Sequence, residues 1–193
     1  MISLFKHSAF PAVFFLGIAL ISCENDLSDV EAVSSIKNTM PLETAKKIEI
    51  IYSDSARVKA RVLSPVLYHF DNVENPYYEM PRGVLVTFYE SAGDTLLVES
   101  TLSSRYAIRY EKRQVMEVSD SVVVLNKKGE KLNTEHLVWD ENTQRIYSDK
   151  FVKITTRDKV IYGDGFESNQ DFSSYRIFKI KGVVSINDGG QDK

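Results

Sequence analysis

After residue 46 the sequence is a succession of short runs rich in Val, Ile, Tyr, Phe and Thr, and nothing else in it bounds the fold so tightly. The runs include "KIEIIY", "RVKARV", "GVLVTFYE", "TLLVEST", "SVVVL", "KFVKITT" and "YRIFKIKGVVSI". β-Branched and aromatic side chains suit the pleated, half-buried surface of a strand. Between the runs stand "DNVENP", "SAGD", "NKKGE", "DENTQ", "TRDK" and "SNQDFSS", clusters of the residue types that make turns. No stretch after residue 46 keeps the spacing of an amphipathic helix. The expectation is an all-β domain of many short strands.

The runs also repeat. Displaced by 30 residues, Leu102–Val124 falls on Leu132–Ile154 without a gap: Leu102 meets Leu132, Ile108 meets Val138, Met116 meets Ile146, Val122 meets Val152 and Val124 meets Ile154. A looser copy upstream sets "VLSPVLYHF" over "LSSRYAIRY" and "MPRGVLV" over "VSDSVVV"; "GDGFESNQD" with "YRIFKIKGVVSI" makes a fourth. Each unit is strand, turn, strand, and one unit cannot bury its apolar face alone, so the units must stack. Along a strand, successive side chains point to opposite faces. Lys153, between Val152 and Ile154, marks the outer face. By that register Val84, Val86, Phe88, Val122, Val124, Val152 and Ile154 point inward. Val123 and Leu85 are apolar at positions equivalent to Lys153, so the alternation is imperfect. A packed core and a lipid-holding groove would produce the same pattern, and both stay open at this point.

The N-terminus has another character. "MISLFKHSAFPAVFFLGIALIS" carries a short positive region, Lys6 and His7, and then an uncharged apolar run from Ala9 to Ile21. The run is shorter than the about 20 residues a membrane-spanning helix needs, and Pro11 weakens its first turn. Positive region, short apolar run and small residues together describe a secretory signal peptide over residues 1–22. Cys23 is the only cysteine and has no partner in the chain. "LISC" resembles the bacterial lipobox, which implies cleavage before Cys23 and its lipidation; a plain signal peptide is the alternative. Acyl chains contribute roughly 0.8 kcal/mol per buried methylene, enough to hold a protein on a membrane. Residues 23–45, polar and acidic, are expected to be a lipidated tether, residues 46–187 the domain and residues 188–193 a flexible tail.

Loss of Lys6 with the signal would move the net charge from -3 to -4. Such a balance excludes a general nucleic-acid footprint, which needs clustered positive charge. Catalysis finds little support. His69 and His136 are isolated from each other and from Cys23, without metal-ligand spacing. In "TEHLVWDE", Glu135 and His136 would face opposite sides of a strand, so they and Asp140 and Glu141 do not form an acid–base site. "GDGFES" (Gly163–Ser168) opens no helix and lacks the Lys of a phosphate loop, and reads as a bend or bulge. The expectation is a non-enzyme with no catalytic residues, metal site or cofactor. A secreted hydrolase with an unseen site is a rival.

The residues carry a likeness to one family. "IIYSDSARVKARVLSP", the stretch from Tyr106 to Thr156 and "GDGFESNQDFSSYRIFKIKGVVSI" resemble the LptC family, the periplasmic component of the lipopolysaccharide-export ABC transporter, in the lipoprotein form of the Bacteroidetes group. The pattern runs through Leu132, Thr134, Leu137, Trp139, Asp140, Ile146, Ser148, Val152, Ile154, Gly163, Gly165 and Phe166. The resemblance implies a twisted open β-jellyroll of antiparallel strands, built here from about four units, with lipid A acyl chains of lipopolysaccharide between its sheets. It implies a place on the periplasmic face of the inner membrane, export-transporter subunits as partners and a periplasmic jellyroll bridge protein as the next carrier. The family usually has an N-terminal transmembrane helix, for which this chain has a lipobox. The last strand, with Ile177, Ile180 and Val184, is expected to be a free edge that docks the next jellyroll. A membrane-anchored β-sandwich that binds a protein or glycan without a lipid groove is the other rival.

Overall fold

The computed structural model describes residues 40–92 and 95–186. The signal peptide, Cys23, most of the tether and the tail at 188–193 lie outside the described residues. Within them there is no helix, and the strands follow in order: β1 (Glu43–Asp54), β2 (Arg57–Phe70), β3 (Tyr77–Met80), β4 (Val84–Ala92), β5 (Thr95–Ser104), β6 (Tyr106–Tyr110), β7 (Val115–Asn126), β8 (Lys131–Asp140), β9 (Arg145–Thr155), β10 (Lys159–Asn169), β11 (Tyr175–Ile177) and β12 (Ile180–Ser185). Every pairing is antiparallel. β1 begins at Glu43, inside the stretch read as tether, because Glu43, Thr44 and Ala45 already pair with His69, Tyr68 and Leu67 of β2.

The long strands bend at mid-length and change partner there. β2 pairs β4 through Ala60–Leu63 and β3 through Tyr68–Phe70. β7 pairs β6 through Val115–Ser119 and β5 through Val123–Asn126. β10 pairs β12 up to Gly163 and β11 from Phe166. One hydrogen-bonded network thereby folds along a crease into two facing layers, a jellyroll. The crease collects the irregular backbone: Lys47, Asp120 and Ser121 have φ of 53°, 61° and 57°, and Gly83 and Gly165 have φ of 89°. Ladder register breaks at Ser119/Val122, Thr134/Val138 and Asp164/Phe166. Gly83 is obligatory there, since a Cβ on it would lie 2.5 Å from the Ser104 carbonyl oxygen. "GDGFES" is the crease of β10, a bulge around Gly165.

Strand register lines the first layer with apolar side chains. Ile50, Val62, Val86, Leu102, Val124, Leu132, Ile154, Ile161 and Val183 stand opposite one another in turn, from β1 across to β12. Met80, Ala107, Val118 and Leu137 form the answering row of the second layer. Fully burying a Val, Leu or Ile side chain contributes about 1.5–3 kcal/mol, so these rows hold the layers together. The sequence repeat is a repeat of these places: Leu102 and Leu132, Met116 and Ile146, Val122 and Val152, Val124 and Ile154 are all buried in the one core.

Candidate functional site

The interior between the layers is where the residues that alternation turns inward are found. Val84, Val86, Phe88, Val122, Val124, Val152 and Ile154 all lie in it, each at most 5% exposed, while Lys153 faces solvent. Leu85 and Val123 belong to the outward row, Leu63–Leu85–Ser103–Val123–Asn133–Lys153. Val123 there lines an open cleft of about 620 Å³ with Phe151, Lys150 and Lys153. Burial along the inner row is uneven. From Val62 to Ile154 the row is sealed, but at β12 Val183 is 56% and Ile180 60% exposed, so the apolar surface runs out to the last strand and stays open to water. Ile177 packs half-buried against the core and Val184 is exposed.

Away from the crease the layers meet along a seam. At its β1 end Trp139 of the second layer sets its ring edge-on to Phe88 and Tyr52 of the first, with centroids 5.0 and 5.5 Å apart. Arg109 lies over the Tyr52 ring at 5.4 Å and donates two hydrogen bonds, 2.7 and 2.8 Å, to Glu141. Burial, with the Glu141 charge next in weight, pushes the Tyr52 phenol far above its ordinary value, and the Glu141 hydrogen bond raises Arg109. The Trp139 indole N–H is buried and has no acceptor among the described residues. At the β10 end the loop 169–174 crosses the seam. Ser100 Oγ donates to the Gln170 carbonyl at 3.0 Å, and Asn126 Nδ2 to the Phe172 carbonyl at 3.0 Å. The sequence alone missed this seam: Arg109, Tyr52 and Glu141 are far apart in the chain, and Phe172 read as part of a turn. A large apolar residue inside the polar "NQDFSS" was the available signal.

Among the described residues β1 pairs only with β2, and β12 only with β10. The Ile186 N–H donates to Asp158 O at 2.8 Å, and alternation turns the Val184 N–H toward β10 as well. The N–H groups of Val183 and Ser185 therefore face the free side.

The polar residues weighed as catalytic serve the frame. His69 stacks on Tyr78 and shares a 2.7 Å hydrogen bond with Glu111. His136 lies 3.8 Å from Glu117 and 3.9 Å from Asp149. Asp140 accepts the N–H groups of Asn142 and Thr143 in the β8–β9 turn, Glu141 holds Arg109, and Glu135 is exposed. Among the described residues no three His, Cys, Asp or Glu side chains gather as a metal site requires.

A folded antiparallel sheet with one apolar interior and, among the described residues, two unpaired margins defines an open-ended β-jellyroll. The chain belongs to the LptC-related family of lipopolysaccharide-assembly proteins, whose pattern matches residues 11–183. That family serves lipopolysaccharide transport at the periplasmic side of the inner membrane. No curated protein matches the sequence.

Proposed function

We propose that this chain is a membrane-anchored periplasmic lipid-transfer protein of lipopolysaccharide export. It receives lipopolysaccharide from inner-membrane transporter subunits, holds the lipid A acyl chains between its two layers and passes them to a second jellyroll. The observation that carries this reading is the inner row from Ile50 to Val183, apolar at every strand it crosses and exposed where it reaches β12. A core that served stability alone would gain nothing from leaving Ile180 and Val183 in water, whereas a track continued by another sheet ends in this way. Val84, Val86, Phe88, Val122, Val124, Val152 and Ile154 are its lipid-contacting walls. A photo-crosslinking amino acid at Val124 or Ile154 should capture lipopolysaccharide in cells, and one at Lys153 should not; equal yields at all three, or none at any, overturn the reading. The anchor is a lipid on Cys23, with residues 1–22 removed. Cys23→Ala should then move the protein to the soluble periplasmic fraction, and an unmodified thiol in membrane-derived protein would exclude the anchor.

A further inference from the structure

We propose that the loop 169–174 is a plug, with Phe172 seated where an acyl chain is to lie, and that loading displaces it. The inference rests on the interior being the lipid site. Phe172 is fully buried although the rest of its loop is Asn, Gln, Asp and Ser. Its φ is 56°, a left-handed conformation that bulky side chains rarely adopt. Strained backbone persists only where the surroundings over-determine it, and it gathers at clamps and switches. The ring is set among Phe166 and Tyr175, with centroids at 5.7 and 5.0 Å, and it belongs to the same core cluster as the lipid-contacting walls.

The loop is fastened unequally to the two layers. To the second layer and to itself it is tied by main-chain bonds: Gln170 N–H to Gln144 O, Phe172 N–H to Asn169 O and Asn169 N–H to Ser174 O. To the first layer, among the described residues, it is tied by the side-chain hydrogen bonds from Ser100 and Asn126. Beside those bonds lies a polar cleft of about 480 Å³, lined by Arg57, Lys59 and Tyr89 of the first layer and by Asn169, Gln170 and Asp171 of the loop. When the seam parts, the loop leaves with the second layer at the cost of those two bonds. An unbranched apolar chain then takes the place the ring held against the first layer, while the ring keeps Phe166 and Tyr175 of the second.

The test uses the full-length chain in membranes, with the photo-crosslinking residue at Val124 and purified lipopolysaccharide as probe. Lys59→Cys with Gln170→Cys, joined across the cleft by a reducible bifunctional thiol reagent, should lower capture several-fold, and reduction should restore it. Phe172→Ala should raise capture several-fold above the parent. If the joined protein captures as much as the reduced one, the plug is wrong while the interior stands as the lipid site. If neither form captures, the interior reading fails and the plug with it. Should Phe172→Ala fail to fold, the joined and reduced forms still decide, because they differ only in whether the loop can leave.

Discussion

Glu99 keeps its side chain almost covered while its partner Lys127 stays half in water, and the two meet at 2.6 Å. The Lys127 hydrogen bond holds the Glu99 carboxyl below the ordinary range. A group whose pKa is lower in the folded than in the unfolded state contributes stability above its unfolded value, about 4.3 for Glu, and loses it as pH falls through the folded value. Stability should therefore decline as the pH drops below about 5. Glu99→Gln should make that decline shallower while leaving less to lose at neutral pH; urea unfolding followed by circular dichroism across this range measures both. An unchanged slope would mean that the pair does not hold in solution. Nothing in the local sequence "LLVESTL" announces this pair, since Lys127 comes from a turn 28 residues away.

At the scale of the element, the crease and the last edge make separate demands. Gly83 ends the turn after β3 with φ of 89°, and its carbonyl accepts from the buried Ser64 hydroxyl at 2.8 Å. Gly83→Ala adds a Cβ against backbone, at Ser104 O, in a conformation hostile to side chains. The expected loss is about 1–3 kcal/mol, read from the urea midpoint, and a change under about 0.5 kcal/mol would show that the crease relaxes freely. For β12, the outward N–H groups make Val183, not Val184, the place to test docking. Proline at Val183 removes a donor from the free side, whereas proline at Val184 would cut the bond to β10. Val183→Pro should leave the domain folded and sharply reduce pull-down of a jellyroll partner. Undiminished binding by the folded variant would move the joint to the β1 margin.

At the scale of the molecule, what was legible from sequence was what is periodic. Strand alternation and the 30-residue displacement put Val122, Val124, Val152 and Ile154 on one face because both follow from local geometry, and all four are buried. The bend was legible in β10, where "GDGFES" reads as a bend or bulge and is one. Elsewhere it was not: Lys47, Asp120 and Ser121 hold left-handed backbone without being glycine, so those residues gave no sign that their strands cross from one layer to the other. The seam was not legible either, since Tyr52, Phe88, Arg109 and Trp139 meet only after β1, β4, β6 and β8 are stacked.

The crease has a mechanical consequence. Ladder hydrogen bonds in both layers run from strand to strand along the crease, whereas the long strands β1, β2 and β7 to β10 run across it. Changing the angle between the layers bends each crossing strand a little and severs no ladder. It is the motion of two covers on a sewn spine: the stitching stays whole, and only the contact between facing pages is given up. A molecule hinged in this way can widen without cutting its ladders, and its resistance to widening is set by the apolar rows between the layers together with the groups that meet at the fore-edge.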